Sequence, residues 1–274
     1  MVAALPGVSS GKALVRKALF SMARIDRIHI IGCARSGTTM LHLAMGCFSD
    51  VMLSGTETPV GYPWALERAG IAFRMAWRPG RKCYITKRNP GWFKPEQQDE
   101  FLAQTRLENV GLIHLVRDPR DVMLSRHAGS KSCISGEPFV SAERWYNSIK
   151  GADRIFASLA DYSRKLTLRY EDLVTAPERA EQMIAAAFGL CRHPDALPIN
   201  HVKDNFERLR IRYSPSAIMA LNGLRNMDSN SIGRWRNSSK AESTEALEPH
   251  IRSRLEAFCA ENGYQQIGVA STLN

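Results

Sequence analysis

The stretch Gly32-Cys33-Ala34-Arg35-Ser36-Gly37-Thr38-Thr39 follows directly on the apolar run Ile28-His29-Ile30-Ile31 and opens a helical pattern that continues to about residue 48. Two glycines let the backbone curl so that successive N–H groups point into one concavity, and a helix start adds positive potential there. Thr38 and Thr39 contribute hydroxyl donors at the first helical turn. A strand, a tight turn and a helix in immediate succession commit the chain to α/β construction. Taken alone, the turn also fits a small-residue corner that merely packs helix on strand.

The remaining pattern agrees with that construction. Short apolar runs at 28–31, 51–53, 83–86, 111–116 and 166–169 alternate with longer amphipathic stretches. This alternation predicts an α/β fold with a central parallel sheet of about five strands flanked by helices. Helices are predicted at 38–48, from Asp118-Pro119 onward (Asp as cap, Pro at the first helical position), and at 139–160, 176–188 and 245–262. Residues 61–82 and 126–138 read as loops. The 274 residues, 44% of them hydrophobic, suit one core, giving a single domain over 28–274 behind an N-terminal extension, 1–27. The basic, polar segment 200–240 reads as a lid rather than core.

Lys and Arg number 37 against 27 Asp and Glu, a formal charge of +10, which favours anionic partners. Compact basic clusters with interleaved aromatics are lacking, so nucleic acid is not the expected partner. The six cysteines form no CxxC pair and have no histidine at zinc-ligand spacing; reduced thiols and no metal are expected. The N-terminal apolar stretch is short and interrupted by Arg16 and Lys17, so neither signal peptide nor membrane span is predicted, and the cytoplasm is the default location.

The turn has the GxxxxG-T-T spacing of a P-loop, but Thr38 stands where a nucleoside triphosphatase needs Lys, and a cation, Arg35, lies upstream instead. A second motif, Val116-Arg117-Asp118-Pro119-Arg120-Asp121-Val122-Met123-Leu124-Ser125, ends a strand in Arg117 rather than in a Mg²⁺-binding acid. These features suit an anion held without a metal. Ser125 lies roughly 9 Å along the helix from Pro119, within reach of an extended Arg117, so both can hold one phosphate. In open α/β sheets ligands sit at the carboxyl ends of strands, where the two motifs would meet. Arg120 and Asp121 read as a solvated ion-pair cluster, and His114 as an interior histidine.

Together these motifs resemble, in order, those of the sulfotransferases that use 3′-phosphoadenosine-5′-phosphosulfate (PAPS). The resemblance implies a P-loop nucleotide-binding architecture in which Arg35, Ser36, Gly37, Thr38 and Thr39 form the 5′-phosphosulfate loop. Arg117 and Ser125 correspond to the 3′-phosphate motif. Leu168-Arg169-Tyr170-Glu171-Asp172-Leu173 resembles the fifth-strand signature, with Tyr170 near the nucleotide, and Gly233-Arg234-Trp235-Arg236 the segment closing over the 3′-phosphate, through Arg234 and Trp235. Glu57, in Gly55-Thr56-Glu57-Thr58, is similar to the Glu base of tyrosylprotein and carbohydrate sulfotransferases. Pro59 replaces the Arg of the tyrosylprotein enzymes, which argues against a peptidyl-tyrosine acceptor. The small-molecule cytosolic branch carries a His after the third strand; here Thr86-Lys87-Arg88-Asn89-Pro90 has none, and either Lys87 or Arg88 falls where the family places a Lys near the bridging oxygen.

The implied reaction moves a sulfuryl group from PAPS to a hydroxyl of a carbohydrate, lipid-linked glycan or small natural product, releasing 3′,5′-diphosphoadenosine (PAP). Trp64, Trp77, Trp92 and Trp145 are candidates to stack on such an acceptor, and Arg208, Arg210, Arg212 and Arg225 to meet an acidic one. The alternative is a P-loop kinase or nucleotide hydrolase, which needs the missing Lys and a Mg²⁺ ligand. A non-enzymatic binder of acidic glycan or nucleic acid ranks last.

Overall fold

Five strands hydrogen-bond in parallel: β1 (Asp26–Ile31), β2 (Val51–Leu53), β3 (Cys83–Arg88), β4 (Gly111–Val116) and β5 (Lys165–Arg169). Their spatial order is β2-β3-β1-β4-β5. The computed structural model describes residues 26–54, 83–88, 95–125, 138–211, 224–238 and 247–265. Glu57, the tryptophans at 64, 77 and 92, Arg212 and most of the two predicted loops lie outside the described residues. The α/β fold with a five-stranded parallel sheet is the one the apolar runs predict. β3 continues two residues beyond its apolar run because Lys87 and Arg88 stay in register with Ile30 and Ile31.

Burial explains the parallel arrangement. β3 and β4 are buried along their whole length and β1 along all but its first residue, as expected of strands covered on both faces. On one face Ile28, Ile30, Ile85, Ile113, Leu115 and Leu168 form a core with helices α1 (Thr38–Ala44), α6 (Pro177–Phe188) and α7 (Val202–Arg208). On the other, Ile31 and Leu112 meet Phe101 of α2 (Pro95–Glu108) and Ala152 and Ile155 of α4 (Ala142–Ser158). Each fully buried aliphatic chain contributes about 1.5–3 kcal/mol.

A third cluster joins Cys33, Val116, Val122, Trp145 and Ile149 to Leu255 and Phe258 of α8 (Pro249–Glu261), beneath the strand ends. Trp145 is 1% exposed and edge-on to Phe258 at 5.4 Å, so it packs the core and offers no face to an acceptor.

Local chemistry sets the helix limits. Asp118 caps α3 (Pro119–Leu124) by accepting the Arg120 N–H at 3.0 Å, with Pro119 at the first position, and Ser141 caps α4 through the Arg144 N–H. Helix α3 is shorter than expected: Ser125 is its C-cap residue. Helix α2 and the short α5 (Tyr170–Thr175) were not foreseen. The segment expected as a lid is heterogeneous, since Val202, Phe206 and Met227 are buried in the main core. Among the described residues Cys33, Cys47, Cys83 and Cys259 are buried free thiols; burial pushes Cys33 up to about 12 and Cys259 to about 11. Among the described residues no helix is long and apolar enough to cross a membrane.

Among the described residues three histidines are buried. His29 lies 2.7 Å from Thr86 Oγ1 and against Phe101; His42 Nε2 is 3.1 Å from the Ile85 carbonyl and 3.0 Å from Ser54 Oγ; His114 packs on Phe156. Burial, aided by nearby cations, holds His29 well below its usual 6.5, His42 at about 3 and His114 at about 4. Each folded value lies below the unfolded one, so the unfolded chain takes up protons that the folded chain refuses. The stability due to neutral histidine is complete above pH 6.5 and is lost as pH falls towards the folded value, with a slope approaching about 1.4 kcal/mol per pH unit for each group. Urea midpoints between pH 7.5 and 4.5 are expected to fall accordingly. His114→Gln should reduce the slope by one such increment, and an unchanged slope would contradict this account.

Candidate functional site

From the end of β1 the chain crosses one way to β2, whereas from β4 it crosses the other way to β5, so the carboxyl ends of β1 and β4 flank a crevice. The site is built there. A Cβ on Gly32 would lie 2.6 Å from the Leu115 carbonyl, so the exits of β1 and β4 approach closely only without a side chain at this position. The turn then closes through Ser36 N–H to the Cys33 carbonyl at 3.1 Å. Arg35 (φ 70°) and Gly37 (φ 95°) both adopt left-handed backbone, which bends the loop into the start of α1. Ser36 is buried, while Thr38 and Thr39 are partly exposed on the first turn.

Arg117, at the exit of β4, reaches into this loop. Its guanidinium donates to the Arg35 carbonyl at 3.0 Å and to the Ser231 carbonyl, and lies 4.5 Å from the centre of the Tyr170 ring. Its Nε is buried without a hydrogen-bond partner among the described residues. From the opposite direction Arg35 Nε donates to Ser125 Oγ at 3.1 Å. The two motifs, 82 or more residues apart, are thus joined by direct hydrogen bonds. The Tyr170 ring lies where a Gly37 Cβ would be, 2.6 Å away, and its hydroxyl is 3.0 Å from Ser231 Oγ. Arg35, Arg117, Ser125 and Tyr170 are therefore linked to the loop and to one another by direct contacts.

The late segment forms the far wall. Trp235 lies under the Arg120 guanidinium at 3.7 Å, while Arg234 is exposed. Lys87 and Arg88, adjacent on β3, point to opposite faces: Lys87 shares the face of Ile30 and α1, Arg88 that of Ile31 and α2, and both are buried. Arg208, Arg210 and Arg225 are exposed. Glu57 lies outside the described residues; Ser54, three residues before it, donates its N–H to the Ile85 carbonyl and touches His42.

One expectation is corrected. Arg120 and Asp121 are not a solvated cluster, being 8% and 2% exposed. Arg120 forms a bidentate pair with Asp118, at 2.8 and 2.7 Å, and Asp121 accepts the N–H groups of Gly233 and Trp235. A second buried carboxylate, Glu171, accepts the Asp118 N–H at 3.1 Å and the Tyr264 hydroxyl at 2.9 Å, so it holds the peptide just after Arg117. Burial raises the carboxyls of both Asp121 and Glu171, and their backbone N–H bonds oppose the rise. Neither role was foreseen, although Glu171 sits in the quoted Tyr-Glu-Asp-Leu stretch. Among the described residues no group of three or more His, Cys, Asp or Glu is placed to hold a metal ion.

Neither a protein-family model nor a curated protein sequence matches this chain. Among solved structures it is similar to mouse sulfotransferase SULT7A1 complexed with PAP, at TM-score 0.44 and 14% identity over 93% of this chain and 90% of that one. It is also similar to sulfotransferase STF1 from Mycobacterium tuberculosis H37Rv, at TM-score 0.41 and 14% identity over 72% of this chain and 80% of that one. Likenesses this distant carry no residue role across.

The contact between Gly37 and Tyr170 is directly testable. Gly189 also has a left-handed backbone (φ 66°), but a Cβ there would meet nothing within 4 Å. Gly189→Ala should therefore report backbone strain alone, about 1 kcal/mol. Gly37→Ala adds a collision with the Tyr170 ring and should lose about 1–3 kcal/mol more. Equal losses in urea denaturation would mean that the ring is not packed on the loop.

Proposed function

We propose that this chain is a PAPS-dependent sulfotransferase that transfers a sulfuryl group to a hydroxyl-bearing acceptor. The observation that carries this reading is the meeting of Arg35, Arg117 and Ser125 at the β1–β4 crevice. It sets the glycine-bearing turn and its Arg35–Ser125 contact beside a second cation, Arg117, which suits a nucleotide phosphorylated at two separate positions. Arg117 Nε, buried and without a partner among the described residues, is consistent with a site that receives another acceptor. The kinase alternative is weaker, because Thr38 occupies the position of the Lys and β4 is followed by Arg117 rather than an acid.

In this reading PAPS supplies the sulfuryl group, and the chain's residues bind, orient and move one proton. Arg117 and Ser125 hold the 3′-phosphate, with Tyr170, Arg234 and Trp235 along the nucleotide. Ser36, Gly37, Thr38, Thr39 and the loop amides hold the 5′ end. Glu57 takes the proton from the acceptor hydroxyl as its oxygen bonds to sulfur and the bond from sulfur to the bridging phosphate oxygen breaks. The negative charge left on that oxygen is offset by Arg35 and by a cation ending β3, Lys87 or Arg88. The acceptor class is a carbohydrate, lipid-linked glycan or small natural product.

Calorimetry with PAP in the presence of a chelator is the first test. Binding is expected without Mg²⁺, and Arg117→Ala should weaken it roughly 10–150-fold through loss of charge-assisted hydrogen bonds. Mg²⁺-dependent ATP binding with no affinity for PAP would overturn the reading. Once an acceptor is found by screening with labelled donor, Glu57→Gln should reduce turnover about 10²–10⁴-fold with PAP affinity nearly intact. Unchanged turnover would remove Glu57 from the role.

A further inference from the structure

The late segment and α3 are 112 residues apart in sequence, yet one carboxylate joins them. Asp121 Oδ2 accepts the Gly233 N–H at 2.6 Å and Oδ1 accepts the Trp235 N–H at 3.1 Å. Both N–H groups face the same carboxylate because Gly233 is left-handed (φ 69°) and the turn closes through Arg236 N–H to the Gly233 carbonyl at 3.1 Å. Asp121 is 2% exposed, so little water competes for these bonds. The neighbouring carboxylate is committed elsewhere: Asp118 caps α3 and clamps Arg120, whose guanidinium covers the Trp235 ring. The first turn of α3 thus presents one acid to its own helix and one to the far wall.

What the second acid fixes matters for the cleft. Ser231 stands two residues before Gly233; its carbonyl accepts from Arg117 and its hydroxyl meets Tyr170. Displacing the 231–236 segment would remove one of the two carbonyls that aim the Arg117 guanidinium. We propose that Asp121 is a positioning residue: by binding the Gly233 and Trp235 amides it sets the late segment against α3 and, through Ser231, orients Arg117 for a phosphate ligand. The inference deepens the proposed function and rests on it for the identity of that ligand.

The test uses the full chain with Asp121→Ala and Asp121→Asn, the latter keeping one acceptor oxygen. Hydrogen exchange of the 226–238 region should accelerate about 10–100-fold in Asp121→Ala while β1 and β4 stay protected, and Asp121→Asn should fall between it and the parent. PAP affinity measured by calorimetry should fall about tenfold or more in Asp121→Ala. Combined with Arg117→Ala, the loss should be clearly smaller than the product of the two single losses, because one residue acts through the other. Unchanged local exchange, or fully multiplicative losses, would overturn the proposal. Should Asp121→Ala fail to fold, Asp121→Asn decides by the same two measurements. If the parent chain binds no PAP, the proposed function fails separately, while the exchange measurement still decides whether Asp121 holds the late segment.

Discussion

The guanidinium of Arg117 is the point on which the cleft depends. It follows a fully buried strand and is held by carbonyls from the 32–39 turn and from the late segment, above an aromatic ring that itself packs on the turn. Three parts of the chain therefore share one cation. A planar group with its donors fixed in a fork can bridge separate acceptors in this way, where a Lys ammonium would act as a point charge. The arrangement explains why Tyr170, Ser231 and Gly37 converge although nothing local in the sequence links them.

The charges at the end of β4 are organised by burial. Left alone, carboxylates at so low an exposure would be expensive to keep ionised. Glu171 and Asp121 each have two oxygens, and each carboxylate takes hydrogen bonds that partly offset the desolvation: a peptide N–H and a phenol for Glu171, two peptide N–H groups for Asp121. Both thereby fix backbone, one on each side of α3, and a turn of only six residues becomes a rigid corner. Lys87 and Arg88 show the complementary principle, since strand alternation sends two adjacent cations to opposite layers.

The sheet was legible mainly through β1, β3 and β4, whose largely apolar runs reflect burial on both faces, whereas β5 alternates Leu with polar residues. The turn at 32–39 and the junction at 117–125 were legible as short local patterns at strand ends, unlike the bond that Ser125 makes to Arg35. Helix α2 was not. Its buried positions, Gln98, Phe101 and Thr105, have helical spacing, but two of the three are polar and Leu107 is 75% exposed, so no apolar stripe announces it. Asp121 was misread because a run of alternating charges ordinarily faces water; the amides that bury it come from 112 and 114 residues further on. The expected base, Glu57, remains a reading of the sequence, since it lies outside the described residues.

Arg35 carries one more implication. A residue with a side chain at φ 70° sits about 1–2 kcal/mol above its relaxed backbone, and the loop holds that strain at the very position that bonds to Ser125. Glycine would relieve the tension and remove the cation together. Thermal robustness and charge placement thus pull in opposite directions at this residue, so selection for hardiness alone would tend to erode it, and a sturdier loop would be an emptier one electrostatically.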